Sequence, residues 1–284
     1  MAWGFGLPFV TLFAVFTVGP VLASLGMSFT DLGSADIRNP LAVDIVLFEN
    51  YTKLLSDDLF GKVALNTAYF VLVGVPLTLA CGLAVAVGLN AGVVRFRTAF
   101  RVGYYLPVVT SIVAVSVVWR FLLEDDTGLL NSALSLVGID GPAWLDSPVW
   151  AMPSLIVMAA WRNLGFVMVI FLAGLQAIPS DLYEAAGIDG AGPWKRFRYV
   201  TLPMLRPTML FAAVITGIGY LQFFEEPFVM TRGGPLDSTR SVSFYIFDQF
   251  GFGNYGYASA MAYVLFLAIV AMTVTQFRLL RPKT

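Results

Sequence analysis

Long uncharged apolar runs dominate the chain, and its charged residues collect mainly in the segments between them. A helix needs about 20 mostly apolar residues to cross the hydrocarbon core of a bilayer. Six segments meet that requirement, so the pattern predicts an all-α, polytopic membrane protein with six transmembrane helices. The predicted spans cover residues 7–27, 63–89, 102–119, 149–175, 208–230 and 258–277.

The distribution of Lys and Arg predicts the orientation of these spans. Basic residues concentrate in the loops 90–101 and 176–207 and in the C-terminal tail, namely Arg95, Arg97, Arg101, Lys195, Arg196, Arg198, Arg206, Arg278, Arg281 and Lys283. The other three loops hold 13 of the 18 acidic residues. Because cytoplasmic loops carry an excess of Lys and Arg, we expect the basic loops and both termini to be cytoplasmic. The absence of an internal repeat or linker indicates a single domain, residues 1–284.

Composition narrows the chemistry that the chain can perform. Apolar residues make up 58% of the chain and charged residues 12%, with a net charge of −1, which gives no reason to expect a nucleic-acid partner. The sequence contains no histidine, the commonest general base and metal ligand, and its one cysteine, Cys81, lies in an apolar run. It also lacks the G-x-x-x-x-G-K-[ST] phosphate-binding motif. We therefore expect no catalysis, metal or cofactor in this chain.

Residues 179–207, between spans four and five, form a separate amphipathic element that we name the coupling loop. Ser180 or Asp181 is placed to cap a short helix that ends near Ile188, with Glu184 as the reciprocal partner. Glycines then permit a bend, and Pro193 suits the first turn of a second helix. This pattern predicts a helix–turn–helix that docks on a partner. An amphipathic loop resting on lipid headgroups remains an alternative.

The coupling loop contains a fixed spacing of residues. Glu184-Ala185-Ala186 is followed after three residues by Gly190 and, nine residues later, by Val200-x-Leu202-Pro203. This resembles the EAA loop of inner-membrane permease subunits of binding-protein-dependent ABC importers, with Val200 in place of isoleucine. The segments F-L-A-G-L-Q-A-I-P at 171–179 and T-R-G-G-P at 231–235 resemble the carbohydrate-uptake branch, which includes maltose and glycerol-phosphate permeases. Arg232 departs from that branch's T-G-G-G-P.

The resemblance implies a role, a set of partners and a location. The chain would form half of the translocation path for a sugar or sugar-like solute in the bacterial inner membrane. It would work with a second, similar permease, two ATPase subunits that bind ATP and Mg²⁺, and an extracytoplasmic solute-binding protein. The implied ATPase-coupling residues are Glu184, Ala185, Ala186, Gly190, Leu202 and Pro203.

Polar residues inside predicted spans are candidates for the solute path, because such groups usually face a cavity or a partner helix. The candidates are Arg162, Asn163, Tyr220, Gln222, Phe223, Glu225 and Glu226. Two alternatives remain open: the glutamates lie at the external headgroup level, or Arg162 pairs with an acid on another helix or on the sister permease. The external loops, including residues 231–240, are candidates for contact with the solute-binding protein.

Two other classes of membrane protein compete with the importer. An ion-coupled secondary carrier would need charges deep within its helices and would work without an ATPase. A membrane enzyme such as a lipid transferase would need paired acidic motifs. Glu124-Asp125-Asp126 is one acidic cluster in an external loop without a second one nearby, and we interpret it as a solvated surface.

Overall fold

Most of the residues that the structure describes are helical. The computed structural model describes residues 2–38, 43–91 and 96–280. Over these residues the only β pairing is one isolated bridge between Thr30 and Ile45. The α-helices, in chain order, are α1 (Ala2–Phe13), α2 (Gly19–Ser28), α3 (Glu49–Leu55), α4 (Asp58–Asn90), α5 (Arg97–Val109), α6 (Ile112–Leu122), α7 (Leu129–Ser135), α8 (Ala151–Gln176), α9 (Ser180–Ile188), α10 (Pro193–Arg196), α11 (Leu202–Met204), α12 (Arg206–Leu221), α13 (Glu225–Met230), α14 (Val242–Gly251) and α15 (Tyr255–Leu280).

Four described segments are long and apolar enough to cross a membrane as single helices. They are Gly6–Ser28, Asp58–Asn90, Ala151–Gln176 and Tyr255–Leu279. They coincide with predicted spans one, two, four and six, which confirms the all-α membrane fold. The basic residues Arg95, Arg281 and Lys283 lie outside the described residues.

Predicted span three is interrupted. Helices α5 and α6 meet at an angle of 99° across Thr110 and Ser111, where the backbone is extended. Pro107 lies one turn before the break, and proline removes a helical N–H and crowds the preceding turn. The Thr110 hydroxyl donates a 2.9 Å hydrogen bond to the Leu106 carbonyl, which satisfies a group that the helix leaves open.

Predicted span five is also interrupted. Helix α12 ends at Leu221 and α13 begins at Glu225, so residues 222–224 lie outside both helices. At its other end, α12 follows the coupling loop through a bend of 65°. The two predictions of continuous helices over 102–119 and 208–230 are therefore corrected to pairs of shorter helices.

The chain divides into two compact units. Unit 2 comprises Leu65–Ser241 and Ile269–Thr284. Its core includes Val167, Met168 and Phe171 of α8, each at most 1% exposed. Gly165 brings α8 against α5 so closely that a Cβ atom there would lie 2.8 Å from the Tyr105 Cα atom, within the Tyr104–Tyr105 backbone. Small residues permit this type of close helix packing in membrane proteins.

Unit 1 comprises Met1–Ala64 and Val242–Ala268. Its core includes Leu54, Val63 and Met261. The Asp57 carboxylate caps α4, because its Oδ1 atom accepts hydrogen bonds from the Leu59 and Phe60 N–H groups at 2.9 and 3.2 Å. Its Oδ2 atom accepts two more, each 2.7 Å long, from the hydroxyls of Tyr245 and Tyr257. One carboxylate thus joins the starts of α4 and α15 to α14.

Candidate functional site

The coupling loop forms the helix–turn–helix that the sequence predicts. Its first arm is α9, Ser180–Ile188, and its second arm begins at Pro193 with α10. A π-helical segment, Phe197–Thr201, and α11 continue the second arm to Met204. Gly190, between the arms, has a φ of +73°, which side-chain-bearing residues rarely adopt. Glycine at this position therefore permits the reversal of the chain.

The predicted cap of the first arm is wrong. Pro179 occupies the N-cap position, and no side chain bonds to the free N–H groups there. The Ser180 hydroxyl instead donates a 3.4 Å hydrogen bond to Asp181. Glu184 is exposed, and the structure shows no capping hydrogen bond from it at the start of α9. Its carboxylate is therefore available to another subunit.

The other EAA-type positions lie on the same helix–turn–helix. Ala185, Gly190 and Pro203 are exposed, whereas Ala186 and Leu202 are half-buried. The hydroxyl groups of Tyr183 and Thr201 share a 2.9 Å hydrogen bond that joins the two arms. The EAA-type positions thus belong to a folded element rather than to an irregular loop.

A polar cavity of about 330 Å³ lies among α6, α8, α12 and α13. All seven predicted solute-path residues line it. The complete lining is Ile112, Arg162, Asn163, Phe166, Ile215, Thr216, Gly219, Tyr220, Gln222, Phe223, Glu225 and Glu226.

The two helix interruptions meet at this cavity. Ile112 begins α6 directly after the first break, and Gln222 and Phe223 lie within the second. The uninterrupted helix α8 contributes Arg162 and Asn163. Interrupted helices expose backbone groups that a continuous helix would pair internally, and membrane transporters use such helices to form binding sites. The arrangement can therefore bind a polar solute.

The charges that line the cavity are not paired with one another. Glu226 is 5% exposed and lies in the first turn of α13, where the helix dipole favours a negative charge. The Arg162 Nε atom is buried without a hydrogen-bond partner. Within the part of the chain that the structure describes, neither glutamate forms an ion pair with Arg162. A buried carboxylate and a guanidinium that lacks a hydrogen bond at Nε can bind water, a solute or a partner subunit.

The aromatic residues of the cavity also have packing roles. The Tyr220 hydroxyl shares a 2.8 Å hydrogen bond with Thr78, and its ring lies against Gly74. The Phe223 ring stacks on Phe70 with ring centroids 3.9 Å apart. These two side chains are 5% and 3% exposed, so little of either ring is available for stacking on a sugar.

The geometry bears on the alternatives for the acidic residues. Glu225 is exposed, as expected at a headgroup level, but Glu226 is buried.

Five residues that line the cavity were not predicted from the sequence, namely Ile112, Phe166, Ile215, Thr216 and Gly219. Phe166 follows Arg162 by four positions and Thr216 precedes Tyr220 by four, so helical periodicity was a usable signal for both.

Comparison with known proteins agrees with the fold and the motif. Residues 60–283 match the family described as binding-protein-dependent transport system inner membrane component. The lactose transport system permease protein LacF of Rhizobium radiobacter is 36% identical, over 97% of this chain and 92% of LacF. The trehalose/maltose transport system permease protein MalF of Thermococcus litoralis is 32% identical, over 96% of this chain and 90% of MalF.

A solved structure has a similar fold. A chain of the bacterial alginate ABC transporter, crystallised in complex with an alginate pentasaccharide-bound periplasmic protein, superposes with a TM-score of 0.84 at 25% identity. The match covers 99% of this chain and 93% of that one. With six predicted spans, an EAA-type loop and these relatives, the chain belongs to the family of inner membrane components of binding-protein-dependent transport systems.

Proposed function

We propose that this permease subunit imports a sugar or sugar-like solute and that the polar cavity holds the solute during passage. The observation that carries the proposal is the convergence of two interrupted helices on Arg162 and the buried Glu226. A carboxylate accepts hydrogen bonds from sugar hydroxyls, and a guanidinium donates to ring and hydroxyl oxygens. Asn163 and Gln222 add groups that both donate and accept.

The names of the relatives support this class of cargo. They include permeases for lactose, arabinooligosaccharides and trehalose or maltose, and the similar solved structure transports alginate. A saccharide unit presents many hydroxyl groups and little charge, which suits a cavity with several neutral polar groups. The cavity of about 330 Å³ has room for one or two sugar rings at a time.

The coupling loop supplies the mechanical half of the proposal. In this proposal the loop and both chain ends are cytoplasmic, and the exposed Glu184 docks in a cleft of an ATPase subunit. Two ATPase copies bind ATP and Mg²⁺, and a second permease completes the path. A solute-binding protein delivers cargo from outside. Closure of the ATPase pair moves the coupling loop, which changes the side on which the cavity is open.

Reconstitution of the complete transporter in vesicles tests the cargo class. Uptake would be measured for a neutral disaccharide, a pentose oligosaccharide, a uronate oligosaccharide and an amino acid, each with the cognate binding protein and ATP inside the vesicle. ATP-dependent uptake of at least one saccharide is expected. Uptake of the amino acid alone would show that the sugar assignment is wrong.

Two charge reversals test the docking role. Glu184→Lys should abolish co-purification of the ATPase and ATP-driven uptake, whereas the matched control Asp189→Lys should retain both. Asp189 is exposed in the same loop and lies outside the EAA-type spacing. If Glu184→Lys assembled and transported normally, the docking assignment would fail. Uptake driven by an ion gradient without ATP would instead support the secondary-carrier alternative.

A further inference from the structure

Arg196 folds back from the second arm of the coupling loop onto the turn. Its Nε atom donates a 2.8 Å hydrogen bond to the carbonyl oxygen of Ala191. The Ala191 N–H in turn donates a 2.8 Å hydrogen bond to Ala186 in the first arm. The Arg196 side chain is half-buried, unlike its exposed neighbours Lys195 and Arg198. The Arg196 guanidinium therefore joins the second arm to the turn, and the turn is hydrogen-bonded to the first arm.

The same guanidinium lies against the first arm at Gly187. A Cβ atom at Gly187 would lie 2.8 Å from Nη2 of Arg196 and 3.5 Å from Cζ. The absence of a side chain on Gly187 is thus what lets the guanidinium approach α9. Glu184 lines the same open depression, but no ion pair joins it to Arg196 among the described residues. The contact depends on shape and hydrogen bonding, not on charge pairing.

A second connection lies about one helical turn away. The Tyr183 hydroxyl shares its hydrogen bond with Thr201, which is 6% exposed and begins the last part of the second arm. Tyr183 and Gly187 are four residues apart and hence on the same side of α9. The two arms are therefore connected at two points, through Arg196 near the turn and through Tyr183 and Thr201 farther from it. Two such points fix an angle, whereas one would leave a hinge.

We infer that Arg196 is a positioning residue that fixes the angle between the two arms, so that the coupling loop reaches the ATPase as a preformed element. The inference rests on the proposed docking function. A preformed element avoids the entropy cost of ordering during docking. It also transmits movement of the ATPase to α12 without bending inside the loop. Without the Arg196 link, ATP hydrolysis would be less tightly coupled to transport.

The primary test compares Arg196→Ala with Arg198→Ala, which makes the same change in charge at an exposed position without a hydrogen bond in the described structure. In the complete transporter, Arg196→Ala should lower solute-stimulated ATP hydrolysis about tenfold, as expected for the loss of a charge-assisted hydrogen bond. Arg198→Ala should leave it unchanged. Equal stimulation in the two variants would overturn the inference.

Gly187→Ala separates positioning from local helix stability. Alanine is a better helix former than glycine, so a purely structural role for this part of α9 predicts unchanged or improved behaviour. The added methyl group would instead force Nη2 of the guanidinium to shift, so the inference predicts a loss of stimulation in the same direction as for Arg196→Ala. Wild-type stimulation in Gly187→Ala would contradict it.

Distance measurements on the permease examine the angle directly. With Cys81 replaced by serine, spin labels at Leu182→Cys and Tyr199→Cys report on the two arms, since both side chains are exposed. The distance distribution should broaden in Arg196→Ala and Gly187→Ala and remain narrow in Arg198→Ala. Unchanged widths in the first two variants would refute the inference. If the docking proposal itself were wrong, Glu184→Lys would assemble and transport normally. That result would distinguish a failure of the docking proposal from a failure of the inference about Arg196.

Discussion

The hydroxyl group of Tyr220 and the Oγ1 atom of Thr78 lie 2.8 Å apart within unit 2 and link α12 to α4. The Thr78 hydroxyl also donates to the Gly74 carbonyl, at 2.8 Å. Gly74 accommodates the tyrosine ring, because a Cβ atom there would lie 2.8 Å from the ring. A residue that lines the polar cavity is therefore also a packing residue between two helices.

This double role predicts different outcomes for two substitutions of Tyr220. Tyr220→Phe removes only a hydrogen bond, so we expect a cost of about 0.6–1 kcal/mol. Tyr220→Ala leaves a void beside Phe70 and Gly74 and should cost about 3 kcal/mol or more. Thermal unfolding of the solubilised transporter would measure both, with the exposed Tyr199→Ala as the control. Equal melting temperatures for Tyr220→Ala and wild type would contradict the packing role.

The buried Glu226 predicts a specific loss of solute affinity. Glu226→Gln preserves shape but replaces a charged acceptor with a neutral amide, so the Kd for the transported saccharide should rise about tenfold. Titration of the solubilised transporter without its binding protein measures this, because the binding protein would otherwise dominate the affinity. Glu225→Gln, at an exposed position, is the matched control. A larger effect at Glu225 than at Glu226 would show that the buried carboxylate is not the one that binds the solute.

The hydrogen bonds of the Asp57 carboxylate predict that the stability of the fold depends on pH. Burial alone would raise the pKa of Asp57, but the hydrogen bonds from Tyr257, Tyr245, Phe60 and Leu59 outweigh it and hold the pKa below 3.8. A lowered pKa in the folded state means that the stabilisation is fully present above the unfolded value and is lost as pH falls through the folded value.

Asp57→Asn should therefore lower the melting temperature by about 2–4 °C at pH 7. The difference from wild type should shrink as the pH falls below the unfolded value of 3.8. Asp58→Asn is a suitable control, since the exposed Asp58 lies outside the tyrosine cluster. A difference that stays constant from pH 7 to pH 3 would argue against the charged carboxylate as its source.

Asn66 predicts an effect on the loop 231–240, which the sequence analysis predicts to be external. Its Nδ2 atom donates hydrogen bonds of 2.7 and 3.0 Å to the carbonyl oxygens of Asp237 and Arg240. If this loop meets the solute-binding protein, Asn66→Ala should weaken the affinity of the transporter for that protein by about tenfold while leaving ATPase assembly intact. Surface-immobilised transporter would report the affinity.

The sequence was most informative where function depends on local spacing. Residues 180–203 specify a helix–turn–helix because glycines and prolines act on their immediate neighbours, although the predicted cap of the first arm is wrong. The helix interruptions were missed, because proline alone does not decide where a membrane helix breaks. Pro76 lies inside the uninterrupted 33-residue helix α4, whereas Pro107 precedes a 99° bend. The difference lies in which tertiary contacts stabilise each backbone path.

Contacts between residues that are far apart in the sequence could not be predicted either. Asp57 is hydrogen-bonded to Tyr245 and Tyr257, which are 188 and 200 residues away in the sequence, so no local sequence pattern predicts these contacts. The cavity was partly predictable, since its charged and amide residues stood out within apolar spans. The apolar residue Ile112 could not be identified in this way. It lines the cavity because α6 begins after a helix break that was not predicted.

The short break at residues 222–224 has a consequence for how such transporters diversify. Side chains in a helix are constrained by their neighbours one turn away, but those in the break are released from that periodicity. Substitutions at Gln222, for example, can change what the cavity recognises while α8 and the coupling loop stay intact. Laboratory selection for altered cargo should therefore accumulate changes at the exposed Gln222 first, whereas Phe223 is held by its stacking on Phe70.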